Sequence, residues 1–182
     1  MNTLLVDVGH GGKDSRAVGI DNLLEKNVNL YFGTLLGDAL QRYDPTLRIS
    51  FTRQDDSSLS LKRRVEIEHE VAPNLFVSVH CNSSAQQNTG SGFEVYYLSD
   101  NGKLVATNVL QAVKDGNFKI HGDGCFFNTF YVLKHTHAIA ILLELFFLNN
   151  QEDCKILKNR VQSTLLVQQI AQGIINSRDV WQ

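Results

Sequence analysis

Four ionisable side chains stand where one kind of sequence gives way to another: His10, Glu25, His80 and Glu144. His10 closes the apolar run "LLVDVG" and precedes Gly11 and Gly12, and His80 closes "NLFVSV". Glu25 opens a helical pattern, and Glu144 interrupts "AILLELFF". Two imidazoles and a carboxylate around an open fourth position are the donor set of catalytic zinc, whereas structural zinc prefers closed, thiolate-rich sites. A further carboxylate that does not touch the metal serves a zinc hydrolase as general base. Each residue also has a plainer reading. The glycines around His10 fit a turn that His10 merely caps. Glu144 fits a buried ion pair with Arg53 or Arg64, because an unpaired carboxylate among apolar neighbours is costly. The four residues are too far apart in sequence for any compact motif of the H-E-x-x-H kind.

The elements that must position them can be read from periodicity. "LLVDV" is a buried strand running into a tight loop. Val28, Tyr31, Leu35, Ala39 and Leu40 recur at helical spacing and predict a helix over Glu25 to Tyr43. "LRISFTR" reads as a short strand, and a helix follows over Leu59 to Val71, stopped by Pro73. "NLFVSVH" is a second buried strand that again finishes on a histidine. "CNSSAQQNTGSG" is a polar loop of the sort that carries function. "FEVYYL" is a strand and "DNGKLVATNVLQAVKDG" a helix with an Asp or Asn cap. "NFKIHGDGCFFN" is broken by glycines and reads as irregular. "TFYVLKH" and "AIAILLELFF" read as two more strands, the second apolar enough to be central. From Gln151 a single amphipathic helix closes the chain. Strands alternating with helices predict a three-layer α/β/α domain around a mostly parallel twisted sheet, and without linker or repeat the domain spans residues 1–182.

Composition excludes several classes. The chain has 182 residues, enough for one sizeable core, with 43% hydrophobic and 20% charged residues. A formal net charge of -2 and the mixed signs of "LKRRVEIEHE" give no nucleic-acid footprint. No apolar stretch is long enough for a membrane span. The N-terminus shows no basic segment, apolar core and cleavage site in series. Release at lysis, signal-independent export or a trimmed chain is therefore expected. Cys81, Cys125 and Cys154 are odd in number and widely spaced, so they read as buried or half-buried thiols rather than a disulfide framework or metal knuckle.

Taken in order, "VDVGHGGKDSRAVG", Glu25, "FTRQDDSSLSLKRRVEI", "NLFVSVHCNSS" with "GFEVYYL", and "LLELFFLNNQED" resemble the zinc-dependent N-acetylmuramoyl-L-alanine amidases. More narrowly, they resemble the amidase-3 class of bacterial cell-wall hydrolases and phage endolysins. The resemblance covers essentially the whole chain and implies a zinc-exopeptidase-like fold. It implies His10, Glu25 and His80 as ligands of one Zn²⁺ and Glu144 as the catalytic residue. The implied substrate is peptidoglycan, cut between N-acetylmuramic acid and L-alanine, by a chain acting at the cell wall and expected to be monomeric. Val8, Arg16, Cys81 and Phe146 depart from the usual pattern without removing any of the four.

Arg16, Asn82, His135 and His137 are candidates for the substrate rim. In a strand, His135 and His137 would share a face and offer a second H-x-H pair for metal. Cys81 beside His80 suggests a thiol nucleophile, but neighbouring strand residues face opposite sides. Two rival functions stay open: a zinc peptidase cutting within the peptide stem, and a non-catalytic peptidoglycan-binding module.

Overall fold

A computed structural model describes residues 2–182. Six strands form one sheet in the order β2-β1-β3-β6-β4-β5. They are β1 (Thr3–Val8), β2 (Arg48–Phe51), β3 (Leu75–Asn82), β4 (Phe93–Tyr97), β5 (Ile120–Phe127) and β6 (Ile139–Phe147). β2, β1, β3 and β6 run parallel; β4 is antiparallel to β6 and carries β5 with it. The helices are α1 (Glu25–Tyr43), α2 (Leu61–Val71), α3 (Asp100–Asp115), α4 (Tyr131–His135), α5 (Gln151–Lys158), α6 (Arg160–Asn176) and α7 (Arg178–Trp181). Among the described residues no helix is long and apolar enough to cross a membrane.

The two-residue period of strands divides the sheet into two unlike faces. Leu4, Val6 and Val8, Val77 and Val79, and Ile141 and Leu143 point into the larger core beneath α1, α3 and α6. Leu5, Phe76, Ala140 and Leu142 point the other way into a smaller core with Val132 and Leu133 of α4. The intervening positions on that thinner side include Asp7, Ser78, His80, Glu94 and Glu144. Among the described residues α2 and α4 pack over this face, and the carboxyl ends of β1, β3 and β6 open into a cleft, where open α/β sheets receive ligands.

The three-layer expectation holds, with corrections to individual elements. "NFKIHGDGCFFN" contributes the edge strand β5; Gly122 and Gly124 take positive φ of 54° and 76°, and the pairing with β4 shifts register there. Glycine absorbs that irregularity without a Cβ penalty. "TFYVLKH" is instead the short helix α4. Its Val132 and Leu133 are buried while Tyr131, Lys134 and His135 are exposed, a helical rather than an alternating pattern. The closing helix is broken into α5, α6 and α7. Asn159 accepts the Val161 and Gln162 backbone N–H groups and so caps a new helix where one was expected to continue. α2 starts at Leu61, behind a Ser60 cap that accepts from Arg63 N–H, and α3 is capped by Ser99 rather than by an Asp or Asn.

Candidate active site

At the carboxyl end of β1 the chain must turn at once, and it does so with His10 in the left-handed region, φ 58°. A non-glycine residue there costs about 1 kcal/mol or more, and the surrounding bonds hold it. Gly11 and Asp14 exchange backbone hydrogen bonds of 3.0 and 3.1 Å. The Arg64 guanidinium donates to the His10 carbonyl at 2.7 Å. The ring is fixed from behind by Asp14, whose carboxylate lies 2.8 Å from His10 Nδ1. Gly9 is needed for a different reason: a Cβ at this position would overlap the His80 ring.

That leaves His10 Nε2 facing Glu25 Oε1 at 3.1 Å, while His80 Nδ1 lies 3.2 Å from the same oxygen. The two imidazoles meet edge to face with centroids 4.8 Å apart. One donor atom from each of the three residues falls within 4.8 Å of the others. Zinc bonded at 2.0–2.1 Å in a tetrahedron holds its donors about 3.4 Å apart, so the His10–Glu25 and Glu25–His80 spacings need only small adjustments to receive it. Asp14 behind His10 supplies the carboxylate–histidine support usual at such ligands. Burial favours neutral His10, yet Glu25 and Asp14 outweigh it and raise its pKa. Burial pushes Glu25 up, but hydrogen bonding and charge from His10 and His80 pull it far below the carboxylate range.

Glu144 lies on β6 directly opposite His80 of β3 and opens into the same cleft, of about 800 Å³. Its Oε2 is buried without a hydrogen-bond partner. Burial first, then the charges of Glu25 and Glu94, raise its pKa well above the ordinary value. Neither proposed arginine reaches it. Arg64 pairs with Asp7 at 2.7 Å. Arg53 donates to the carbonyls of Val8, Gly9, Lys26 and Asp55, bracing the His10 loop. The alternative reading of Glu144 as half of a buried ion pair is thus not realised; the buried pair is Arg64 with Asp7, behind the loop.

The rim candidates separate. Arg16 and Asn82 line the cleft, and Asn82 donates to Glu94 Oε2 at 2.9 Å. His135 and His137 lie away from it: α4 is helical, so they share no strand face, and His137 borders a separate cavity with Lys134 and Leu98. Cys81 borders the cleft but is buried, its side chain packed in the larger core, and its pKa is raised first by burial and then by Glu25 and Glu144, the opposite of what a thiol nucleophile requires. Sequence reasoning missed Asp7, Asp14 and Glu94, and the apolar wall formed by Phe130, Tyr131 and Val132. Asp14 was visible in principle as the acid of "HGGKD"; Phe130 and Tyr131 were hidden by reading α4 as a strand.

Comparison with known proteins gives a consistent picture. The family model described as N-acetylmuramoyl-L-alanine amidase matches residues 4–176. The chain is 30% identical over 182 residues to N-acetylmuramoyl-L-alanine amidase LytC of Bacillus subtilis, covering 96% of this chain and 35% of LytC. The chain thus spans about a third of that relative. Among solved structures, the catalytic domain of the amidase CwlV from Bacillus (Paenibacillus) polymyxa superposes with a TM-score of 0.89 at 32% identity, covering 99% of both chains. The amidase AmiC2 of Nostoc punctiforme superposes with a TM-score of 0.90 at 33% identity, covering 98% of this chain and 97% of that one.

Proposed function

The chain belongs to the N-acetylmuramoyl-L-alanine amidase family, and from that premise we propose that it uses one zinc ion to hydrolyse the amide joining N-acetylmuramic acid to L-alanine in peptidoglycan. The observation that carries the zinc-dependent reading is the convergence of His10, Glu25 and His80 on one point beside the unpartnered carboxylate oxygen of Glu144. His10, Glu25 and His80 would hold the ion. Zinc, when bound, supplies Lewis acidity that polarises a carbonyl and eases deprotonation of a neighbouring water.

The remaining work falls to the chain. Glu144 Oε2, with no protein donor to satisfy it, takes the proton from the attacking water and returns it to the departing alanine nitrogen. Burial and the neighbouring Glu25 and Glu94 charges raise its affinity for a proton in the metal-free chain. Glu94 stays anchored by Asn82 Nδ2 at 2.9 Å and the Tyr96 hydroxyl at 2.6 Å, which keeps it from turning towards the reacting centre. Phe130, Tyr131 and Leu142 give the cleft an apolar wall against which a glycopeptide excludes water, and Arg16 brings a positive charge to its lining. All four central residues come from one chain, so a monomer is complete. Action at the cell wall follows from the substrate.

Digestion of purified sacculi followed by mass spectrometry tests this reading. The expected products are intact stem peptides with a free L-alanine amine and glycans retaining the lactyl carboxylate. Cuts inside the stem would identify a peptidase instead, and binding without products a non-catalytic module. A chelator should abolish release and one equivalent of zinc restore it, whereas His80→Ala should neither hold zinc in the cleft nor have its activity rescued.

A further inference from the structure

A second set of donors lies on the same helix that braces the His10 loop. Glu68 and His69 sit one turn beyond Arg64 on α2, and His137 comes from the segment that leads into β6. One donor atom from each of Glu68, His69 and His137 falls within 4.8 Å of the others. We propose that these three residues form a second divalent-cation site, selective for a borderline transition ion such as Zn²⁺ or Cu²⁺, which clasps α2 to the α4–β6 junction.

Glu68 is the anchor. It is 1% exposed, and its oxygens accept the backbone N–H groups of His137 at 3.2 Å and Ala138 at 2.9 Å. These bonds fix the carboxylate as outer-sphere partners fix a ligand, and a carboxylate has lone pairs left over for a metal. No lysine or arginine comes within ion-pair distance of it among the described residues; the basic groups beside it are the His137 ring and His69, whose Nε2 lies 3.5 Å from Oε2. A buried carboxylate lacking a fixed cation gains most from acquiring one.

The spacing fits an ion. The His69 Nε2 to Glu68 Oε2 distance of 3.5 Å matches the donor separation of about 3.4 Å in a tetrahedral zinc site. The His135 carbonyl, 3.1 Å from His69 Nε2, accepts that ring's N–H in the metal-free protein, a proton that a bound ion would displace. His69 and His137 are both exposed, with rings stacked at 4.1 Å and 8°. In that stack the two rings present their nitrogens in parallel planes, so binding requires the exposed His137 ring to turn out of the stack while His69 keeps its spacing from Glu68. Imidazole with carboxylate favours Zn²⁺ and Cu²⁺ over Mg²⁺ or Ca²⁺. The site is independent of the cleft, sharing no residue with it.

Metal counting on the stripped 182-residue chain, titrated with Zn²⁺ and read by calorimetry and elemental analysis, tests the proposal. Wild type should bind two equivalents. His69→Ala/His137→Ala should bind one and keep the activity that one equivalent supports, since both side chains are exposed and outside the cleft. His80→Ala should keep the second equivalent, and Cu²⁺ added to it should give an EPR spectrum with imidazole nitrogen coupling that disappears in His69→Ala/His80→Ala/His137→Ala. A single equivalent in wild type, or an equal count in wild type and His69→Ala/His137→Ala, would overturn the second site while leaving the cleft assignment untouched.

Discussion

Replacing Asp7 by Asn should cost more stability than almost any other single-atom change in the chain. Asp7 is fully buried on the thinner face of β1. Its carboxylate accepts from Arg64 Nη1 at 2.7 Å, Ser78 Oγ at 2.7 Å and Thr52 Oγ1 at 2.9 Å, while the Arg64 side chain is 2% exposed and pairs with no other carboxylate among the described residues. Asn keeps the size but removes the charge and turns an amide donor towards groups that already donate. Breaking a buried pair from one side costs about 3–5 kcal/mol because the remaining charge is stranded. At about 2–4 °C per kcal/mol for a chain of this size, the midpoint should fall by roughly 6–20 °C. Chemical denaturation and calorimetry of wild type, Asp7→Asn and Asp7→Asn/Arg64→Met provide the comparison, with the double variant recovering part of the loss because no charge is left unpaired. The pH dependence has a definite sign. Burial raises the Asp7 pKa, but Arg64 and Ser78 outweigh it and the folded value lies below 3.8. The stability from Asp7 is therefore complete above 3.8 and lost as pH falls through the lower folded value. The gap between wild type and Asp7→Asn should be flat from neutral pH down to about 5 and close in stronger acid. A loss under about 1 kcal/mol at pH 7 would show that the pair does not carry this energy.

Glu144→Gln should retain zinc while the hydrolytic rate falls by about 10²–10⁴, the usual contribution of a positioned acid–base group; loss of metal together with activity would make Glu144 a ligand instead. In metal-free protein the same change should stabilise the fold above pH 4.5. Burial, Glu25 and Glu94 raise the wild-type pKa from 4.5, so its contribution is full below that value and declines as pH rises through the folded one. The advantage of Gln should grow by up to about 1.4 kcal/mol per pH unit in that window, and parallel denaturation curves would count against it. Gly9→Ala should displace the His80 ring and weaken zinc binding by tenfold or more, measured by competition with a chromogenic chelator, with circular dichroism unchanged.

How much was legible in advance depended on the range of the forces involved. The Glu25–Tyr43 helix has its expected ends, because its apolar stripe and the Asp44-Pro45 break are local signals. The four central residues were visible because polar groups at the ends of apolar runs demand a purpose. The errors arose where tertiary packing overrode local pattern. "TFYVLKH" is rich in β-formers yet helical, since Val132 and Leu133 have to reach Phe76 and Leu142 from above the sheet. "IHGDGCFF" reads as irregular yet pairs as an edge strand because β4 offers it a free ladder. The partner of Arg64 could not be read from spacing, since Asp7 lies 57 residues away and meets it only once α2 packs across β1.

The alternation that sends Leu143 and Leu145 into the larger core and Glu144 towards the cleft also ties correct folding to competence. Were β6 to pair with β3 one residue out of step, a carboxylate would be driven among aliphatic side chains and two leucines turned outward. A chain that settled in that alignment would be unstable as well as inactive. Proofreading of the reactive geometry is thus delegated to the hydrophobic effect, and a population of well-folded but misaligned molecules should never accumulate.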